Sequence, residues 1–315
     1  MNILIVGAGA VGQVYGRHLA LAGHAVAFFV KPAHRAALAN GLPLHRLGWI
    51  RHRSETWRGY ELLSDVAEVA ARPWDQVWLC VAADALQAPL TAQVVRAAAG
   101  ATVVCLQPGP ESAAQVRAWL PADDKLVQGL IPFISYQSPL PGRPGPAGIA
   151  YFLSPLMPGL FAGDKLRTDA VVKALRAGGF PARQVRDLHK AAGGGEAVLN
   201  PLIAALEVHD WRLGDFAGSE ALRLGREAAR ETVDLLAAAQ GFRAAPYRLL
   251  LTRTGSRLLL ALAPRVLPLA LEPYLAYHFG KVGAQTRQLL DSYIALGSGQ
   301  GLPVTALREL RSRLA

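Results

Sequence analysis

The first sixteen residues constrain the fold of this chain more than any other segment. Asn2 to Val6 is a short apolar run rich in β-branched side chains, which is typical of a strand buried on both faces. Gly7, Gly9 and Gly12 follow it in the order G-x-G-x-x-G, and an apolar helical pattern comes next. A further apolar run over residues 25–30 predicts a second strand, so the segment is predicted to form a βαβ unit.

Each glycine has a physical role in a βαβ unit that binds a dinucleotide. Gly7 allows the tight turn, Gly9 lets the backbone approach a pyrophosphate, and Gly12 lets the helix pack closely on the strand. The phosphates would be bound by free N–H groups at the N-terminus of the helix. The alternative is a chance glycine cluster in an ordinary α/β turn. The predicted coenzyme-binding turn consists of Gly7, Ala8, Gly9, Ala10, Val11 and Gly12.

The residues after the second strand indicate which nicotinamide coenzyme is bound. A site for NAD carries Asp or Glu there to bind the ribose hydroxyls, whereas a cation accommodates the 2′-phosphate of NADP. The segment Phe28 to Arg35 contains no acid, and Lys31 and Arg35 can both reach a phosphate. The alternative is that these are two solvated surface cations. NADP is therefore the predicted cofactor.

Length, charge and cysteine content narrow the class of protein. A chain of 315 residues with 52% apolar residues is expected to form two domains with large interiors. The net charge of +10 comes from cations spread along the chain without interleaved aromatic residues, so we expect phosphate attraction and no nucleic-acid partner. Cys80 and Cys105 lie in apolar runs, which predicts buried thiols and a cytoplasmic location. The N-terminal run lacks a basic leader and a cleavage site, so no signal peptide is expected.

The order of apolar runs predicts two architectures in succession. Strand-like runs alternate with helical patterns up to residue 186, which predicts a Rossmann-like, doubly wound parallel sheet with a few added strands. From residue 187 to 315 the pattern is helical, so the predicted fold class is α/β followed by all-α. We expect residues 1–186 to bind NADP and residues 187–315 to serve substrate binding and dimerisation in a homodimer.

One leucine-rich run in the helical region has several interpretations. Residues Leu258 to Leu271 are apolar, but the run is shorter than the ~20 residues of a membrane span, and Pro264, Arg265 and Pro268 interrupt it. We expect buried helices of the second domain or a dimer face. The alternative is an interfacial membrane helix.

The chain as a whole resembles the ketopantoate reductase (2-dehydropantoate 2-reductase) family. The likeness rests on GAGAVGQVYGRHLALAGHAVAFFVKP near the N-terminus, VVCLQPG at residues 103–109, VLNPLIAAL at 198–206 and GLPVTALREL near the C-terminus. The resemblance implies reduction of an α-keto acid by NADPH in a cleft between the domains, with a lysine that donates the proton to the carbonyl oxygen. It also implies that a glutamate and asparagines of the helical domain position the substrate.

On the coenzyme side, the family positions carry over to four residues of this chain. The family pattern after the fourth strand ends in Val-Lys, which is Val81-Ala82 here. The family motif Leu-Gln-Asn-Gly has proline at its third position here, as Gln107-Pro108. The resemblance therefore implies that Val81, Ala82, Gln107 and Pro108 line the coenzyme.

On the substrate side, the family positions are mostly occupied by other residue types. The pattern Lys-x-x-x-Asn-x-x-x-Asn falls on Ala192, Glu196 and Asn200, and the C-terminal glutamate of the family falls on Gln285. Asn200 is the position that is unchanged. The sequence therefore leaves open the identity of the substrate, the proton donor and the turnover of ketopantoate itself.

Other residues of the same helix could replace the missing lysine. His189, Glu196 and Asn200 fall on one helical stripe, with Gly193 leaving room between them. A histidine, or a glutamate whose pKa burial raises, can donate a proton near neutral pH. Lys190 lies roughly 200° around the helix from the family lysine position and could serve only if the glycines at 193–195 break the helix. The alternatives are a surface or hinge histidine and a solvated or salt-bridged carboxylate.

A second polar stripe is predicted on a late helix. Tyr277, Lys281 and Gln285 are spaced four residues apart, with His278 beside them. Lys281 is a candidate proton donor or carboxylate anchor, and Gln285 would supply hydrogen bonds without charge. The alternative is an ordinary solvated polar face.

Three functions remain open at this point. The first is an NADPH-dependent reductase of a keto acid or related carbonyl, and the second is an NADP-binding protein without catalysis that acts as a sensor or partner. A membrane-surface protein is the third. No metal site is predicted. The candidate catalytic residues are Glu196, Asn200, Lys281, Gln285 and His189.

Overall fold

The computed structural model describes residues 1–107 and 109–314, which divide into two compact units. The first unit is Met1–Pro139 with Gly145–Leu188, and the second is Leu140–Pro144 with His189–Ala315. The first unit is α/β and the second is helical. The predicted fold class is therefore confirmed.

The first unit contains two β-sheets. Its strands are, in chain order, β1 (Asn2–Val6), β2 (Ala25–Phe29), β3 (Leu42–Leu47), β4 (Arg53–Trp57), β5 (Glu61–Leu63), β6 (Gln76–Leu79), β7 (Thr102–Cys105), β8 (Leu126–Gly129), β9 (Ile134–Ser138), β10 (Gly148–Phe152), β11 (Gly159–Gly163) and β12 (Ala182–Gln184). In the larger sheet the order is β12-β11-β8-β7-β6-β1-β2-β5, and neighbouring strands are parallel except β11 and β8. β1 lies between β2 and β6, as a doubly wound sheet requires.

The smaller sheet is a separate layer that the sequence pattern did not predict. Its order is β4-β3-β10-β9, with β3 and β10 parallel and the other pairs antiparallel. The sequence predicted only a few added strands beside the doubly wound sheet, and β3, β4, β9 and β10 are found outside that sheet. The pattern could not identify β10 as the partner of β3, because alternation specifies which face of a strand is buried and not which distant strand pairs with it.

The strands of the larger sheet are buried on both faces. In β1, Ile3 and Ile5 belong to one hydrophobic cluster, whereas Leu4 and Val6 belong to a second cluster across the sheet. Burying one such side chain fully stabilises the fold by about 1.5–3 kcal/mol. This two-sided burial explains why the N-terminal run is continuously apolar instead of alternating.

Six α-helices accompany the sheets in the described part of the first unit, and the first and last of them pack closely together. They are α1 (Ala10–Leu21), α2 (Pro32–Leu38), α3 (Val66–Ala70), α4 (Pro89–Ala97), α5 (Pro110–Arg117) and α6 (Lys165–Ala177). The buried His18 of α1 donates from Nδ1 to Gly178 O at 2.7 Å, just after α6. A Cβ at Gly178 would lie 1.7 Å from His18 O, so only glycine allows this close approach of the two helices.

The second unit is built around two long helices. Its helices are α7 (Leu188–Val208), α8 (Glu220–Gln240), α9 (Ala245–Leu250), α10 (Arg253–Val266), α11 (Leu271–Lys281), α12 (Gly283–Gly299) and α13 (Thr305–Ser312). A hydrophobic cluster combines small residues of α7 and α8 with leucines of α12 and α13. These helices all begin after residue 186, in the region predicted to be helical.

The leucine-rich run differs from its prediction in continuity and in burial. α10 ends at Val266, and α11 begins at Leu271, with Pro268 in the break. Leu258 is 58% exposed, Leu262 is 46% exposed and Val266 is 50% exposed, so the prediction of a buried helix is wrong for these side chains. The physical reason is that they follow one another at four-residue intervals on a single face, which is not the face that packs on the unit.

The length and continuity of the same helices bear on the membrane interpretation. Within residues 1–107 and 109–314, no single helix is long and apolar enough to cross a membrane. α10 and α11 satisfy the length and composition requirements only as a pair, and they meet at a bend of 101°.

Candidate functional site

The glycine turn after β1 has the geometry that its sequence predicts. Gly7 has φ +97°, and a Cβ there would lie 2.9 Å from Cys80 O and 2.9 Å from a methyl carbon of Val81. A Cβ at Gly12 would lie 2.1 Å from Gly7 O. These two glycines therefore permit the turn and the close packing of α1. Around Gly9, no atom of the described chain lies within 4 Å of a Cβ position, so the backbone there is open to a ligand.

The N-terminus of α1 offers unpaired amides at this turn. Gly9 is the N-cap and supplies no side-chain cap, and the first helical bond runs from Gln13 N to Gly9 O at 3.0 Å. The amides of the first turn consequently have no acceptor within the helix. Gln13, which the sequence analysis did not identify, donates from Nε2 to Ala8 O at 2.8 Å and braces the turn. The arrangement can bind an anion such as a pyrophosphate.

The turn lies at the point where the strand order reverses. β1 pairs with β2 on one side and with β6 on the other, and ligands of open α/β sheets bind beyond the carboxyl ends of strands at such a point. Val81 and Ala82 follow β6, and Gln107 follows β7. Three of the residues carried over from the family pattern are thus brought to the same edge of the sheet as the turn. Pro108, the fourth, lies outside the described residues.

The side-chain amide of Gln107 forms hydrogen bonds with other groups of the protein. Its Nε2 donates to Leu79 O at 2.9 Å and to Val81 O at 2.7 Å, and its Oε1 accepts from Cys105 Sγ at 3.3 Å. Both hydrogens of the amide nitrogen are therefore engaged, and the residue is 8% exposed. The bonds hold the segment after β6, which contacts Gly7, in position.

Both cysteines are free thiols, as predicted. Cys105 is buried in β7, and Cys80 is half-buried at the end of β6 against the glycine turn. Burial raises the pKa of both thiols, so they remain protonated at neutral pH.

The two predicted phosphate-binding cations occupy different environments. Lys31 is the N-cap residue of α2, is exposed and forms no ion pair within the described part of the chain. Arg35, one turn further on, approaches Glu68, with Arg35 Nη1 3.6 Å from Glu68 Oε1. Backbone N–H groups of Ser64 and Asp65 and the Arg35 guanidinium hold the pKa of Glu68 below its ordinary value, so Glu68 is ionised. A phosphate would compete with this carboxylate for Arg35.

A pocket of ≈ 430 Å³ lies beside Arg35. Its lining is mixed in charge, with two arginines and two glutamates: Arg35, Ala39, Arg58, Gly59, Tyr60, Glu61, Leu62 and Glu68. Glu61 forms an ion pair with Arg72. The exposed Lys31 is therefore better placed than Arg35 to attract a dianion.

In the second unit, α7 is one continuous helix through its glycine triplet. It carries His189, Glu196 and Asn200, which share one side of a helix by their spacing. Lys190 stays roughly 100° from His189, so the break that would bring it onto this stripe does not occur. Burial raises the pKa of the Glu196 carboxyl, and the nearby His189 opposes that rise.

The space predicted at Gly193 is filled. A Cβ at Gly193 would lie 1.9 Å from Gln240 Oε1, and a Cβ at Gly194 would lie 2.1 Å from the ring of Tyr247. The prediction that Gly193 leaves room on the stripe is therefore wrong, because α8 and α9 use these glycines for close packing. Gln240 Oε1 is buried there without a hydrogen-bond donor among the described residues.

Tyr293 of α12 is a functional candidate that the sequence analysis missed. Asn200 Nδ2 donates to Tyr293 Oη at 2.8 Å, and Tyr293 is 7% exposed. Burial raises the pKa of Tyr293 to about 12, and Glu196 contributes in the same direction. One cluster thus contains Glu196, Asn200 and Tyr293. No local signal could have identified it, since Tyr293 lies 93 residues from Asn200.

The predicted stripe of Tyr277, Lys281 and Gln285 is not continuous. α11 ends at Lys281 and α12 begins at Gly283, with Val282 outside helical geometry, so the prediction of one shared helix face is wrong. Lys281 Nζ lies 3.7 Å from the ring centroid of Tyr277, and Gln285 is exposed on the next helix. Burial and Lys281 lower the pKa of His278.

Metal-ligating side chains do not gather into a site in residues 1–107 and 109–314. No cluster of three or more His, Cys, Asp or Glu side chains in these ranges could hold a metal ion.

Comparison with known proteins finds a family model that is similar to the N-terminal part of the chain. Residues 3–144 match the family model described as Ketopantoate reductase PanE/ApbA. The match contains the glycine turn, Lys31, Arg35, Val81, Ala82 and Gln107. Among proteins with curated functions, none matches this chain in sequence.

Solved structures extend the similarity in fold beyond residues 3–144. A 2-dehydropantoate 2-reductase from Geobacter metallireducens GS-15 is 17% identical, with a TM-score of 0.74 over 100% of this chain and 99% of that one. A PanE/ApbA family ketopantoate reductase from Ralstonia eutropha JMP134 is 21% identical, with a TM-score of 0.72 over 100% and 97%. D-mandelate dehydrogenase, solved with NADH and anilino(oxo)acetate, is 15% identical, with a TM-score of 0.68 over 100% and 97%. The whole chain has the ketopantoate reductase fold.

Proposed function

We propose that the protein is an NADP(H)-dependent oxidoreductase that reduces an α-keto acid or a related carbonyl compound. The observation that carries the proposal is the open turn from Gly7 to Gly12 at the reversal of strand order, within the residues that match the PanE/ApbA family model. An open backbone at Gly9 and the unpaired amides of α1 form a site for the pyrophosphate of a dinucleotide.

The first unit supplies the residues proposed to bind the coenzyme. The amides of α1 bind the pyrophosphate, and Val81 and Ala82 line the nicotinamide half of the coenzyme. Lys31 binds the 2′-phosphate, with Arg35 as a second cation that Glu68 partly neutralises. The coenzyme, when bound, supplies the hydride. Because this segment has no acidic residue to bind ribose hydroxyls, NADP is preferred to NAD.

The second unit supplies the residues proposed to act on the substrate. Glu196 is the proposed proton donor, since a carboxyl whose pKa burial raises stays protonated at higher pH than an exposed one. Asn200, fixed by Tyr293, retains its amide oxygen and one N–H for the substrate. The charge of His189 opposes the rise in the pKa of Glu196. Lys281 and Gln285 are proposed to bind the substrate.

The proposal is tested by NADPH oxidation. The full chain is incubated with NADPH and a panel of α-keto acids and aldehydes that includes ketopantoate and aryl keto acids, and loss of absorbance at the reduced-nicotinamide band is recorded. We expect turnover with at least one α-keto acid, and loss of turnover in Glu196→Ala with NADPH binding retained. If calorimetry detects no binding of NADPH, the proposed coenzyme site is wrong.

A second candidate is a coenzyme-binding protein without catalysis. One observation favours it: α7 presents no ammonium group beside Glu196 and Asn200, because Ala192 stands at the family lysine position and Lys190 is off the stripe. The same assay distinguishes the two functions. Tight NADPH binding with no oxidation across the panel would support a sensor and reject the reductase.

A further inference from the structure

Four arginines of the second unit form a cluster that the proposed reaction does not use. Arg226 and Arg230 are one turn apart on α8, and Arg253 and Arg257 are one turn apart at the start of α10. Arg230 Nη2 donates to Leu251 O at 2.7 Å, which brings α8 against the segment that leads into α10. We name these four residues the arginine cluster.

The arginine cluster has no carboxylate of its own. The acidic residues of α8 are engaged elsewhere among the described residues: Glu220 and Glu227 with Arg223, Glu231 with backbone amides of α13, and Asp234 with Arg248. Arg226, Arg253 and Arg257 form no ion pair within the described ranges. Four like charges thus lie together with only the charge of Glu227, which is paired with Arg223, opposing them at Arg226, and their repulsion raises the free energy of the folded protein at low ionic strength.

Within the described part of the chain, Arg226 also lacks a hydrogen-bond partner for one of its nitrogen atoms. Its Nε is buried and has no hydrogen-bond acceptor among the described residues. Burial and the charges of the other three cluster members lower the pKa of Arg226, against the opposing charge of Glu227. A buried donor on a charged group that lacks an acceptor is costly, so an acceptor from a ligand would be stabilising.

The start of α10 adds further donors of the same sign. Thr252 caps the helix by accepting from Gly255 N at 3.0 Å, which leaves the amides of Arg253 and Thr254 without intrahelical acceptors. α10 is 14 residues long, and its N-terminal partial charge is positive. Guanidinium groups and helix N-termini are the donors that bind phosphate oxygens best.

We infer that the arginine cluster is a binding site for a small phosphate-bearing anion with two or more negative charges. The unpaired guanidinium groups, the unsatisfied Arg226 Nε and the free amides of α10 supply its contacts. This inference does not rest on the proposed reductase activity, because all of its residues belong to the second unit and none is assigned to coenzyme or substrate.

Pyrophosphate is the probe, and calorimetry on the full chain is the measurement. We expect binding to wild-type protein that weakens at least tenfold in Arg226→Gln/Arg257→Gln. Arg311→Gln is the matched control, since Arg311 is a half-buried arginine outside the cluster that is paired with Asp291, and its loss should leave binding unchanged. Equal affinity in the double variant and in the wild type would overturn the inference, and it would indicate that pyrophosphate binds elsewhere, as at the glycine turn.

Melting temperature and vesicle sedimentation distinguish an anion site from a structural cluster and from a lipid-binding surface. Because the unliganded cluster repels itself, the melting temperature of the double variant in low salt should equal or exceed that of the wild type, with a difference that shrinks as salt is added. A clear decrease in melting temperature would show a structural role and overturn the inference. If the protein sediments with phosphatidylglycerol vesicles but does not bind pyrophosphate, the inference is also overturned, and the cluster is a lipid-binding surface.

Discussion

Glu196 shows how partial burial determines the chemistry available to a single side chain. Its carboxyl is half-buried on α7, and burial raises its pKa above that of an exposed glutamate, with His189 acting in the opposite direction. The neutral form therefore persists to higher pH. A proton donor of this kind is active on the acidic side of its pKa and inactive above it.

Replacing Glu196 by glutamine tests this pH dependence. We expect kcat of the wild type to fall as pH rises through the pKa of Glu196, and Glu196→Gln to lose that limb together with roughly 10²-fold in kcat. Since the raised pKa disfavours the ionised form in the folded state, its contribution to stability is present at low pH and lost as pH rises. Glu196→Gln should therefore gain melting temperature relative to wild type at pH 8 more than at pH 4. A difference that does not change with pH would contradict this role.

We propose that Lys31 sets the coenzyme preference through its single positive charge. Lys31→Ala should weaken the binding of NADP by on the order of tenfold, because one charge-assisted hydrogen bond to the 2′-phosphate is lost. The affinity for NAD should be nearly unchanged. Calorimetry with both coenzymes measures the two affinities. Lys173→Ala, an exposed lysine paired with Asp169 on α6, is the control. Equal losses for NAD and NADP would reject the preference for NADP.

At the scale of elements, the glycine triplet of α7 serves helix packing. A Cβ at Gly194 would overlap the rigid ring of Tyr247, whereas Gly195 is exposed and has no atom of the described chain within 4 Å of a Cβ position. Two adjacent glycines in one helix are thus under opposite constraints. The helix tolerates the conformational cost of Gly194 because α9 packs against it.

Alanine substitution separates these two glycines. Gly194→Ala should lower the free energy of unfolding by about 1–3 kcal/mol through overpacking. Gly195→Ala is the matched control and should raise it by about 0.5–1 kcal/mol, because alanine has the higher helix propensity and nothing obstructs it. Urea denaturation measures both changes. Stabilisation by Gly194→Ala would contradict the packing role.

At the scale of the whole molecule, the exposed leucines of α10 bear on assembly. Leu258, Leu262 and Val266 form an apolar stripe on one helix face. Large exposed apolar surfaces on a folded protein mark interaction sites. We propose that this stripe is the contact of a homodimer, as the sequence analysis expected of the helical region.

Light scattering after size-exclusion chromatography tests the homodimer. We expect a mass of two chains for the wild type and of one chain for Leu258→Ser/Leu262→Ser, because burial of leucine drives such a contact at about 25 cal/mol per Å² of apolar surface. Leu166→Ser is the control, since Leu166 is 79% exposed on α6 of the first unit. A monomeric wild type at micromolar concentration would reject the homodimer.

Much of this architecture follows from local sequence patterns alone. The run Asn2 to Val6 and the glycines after it predict strand, turn and helix, because buried parallel strands are continuously apolar and a turn with positive φ requires glycine at Gly7. The free thiols and the change from α/β to all-α also follow from local sequence patterns. Each of these properties depends on residues close together in the chain.

The tertiary structure decided everything that depends on contacts between distant segments. It paired β3 with β10 in a second sheet, filled the space at Gly193 with Gln240, and interrupted the predicted stripe at Val282. It also brought Tyr293 to Asn200 and assembled the arginine cluster from two helices. A local pattern specifies which face of an element is apolar, whereas the identity of the neighbour depends on packing among elements far apart in the sequence.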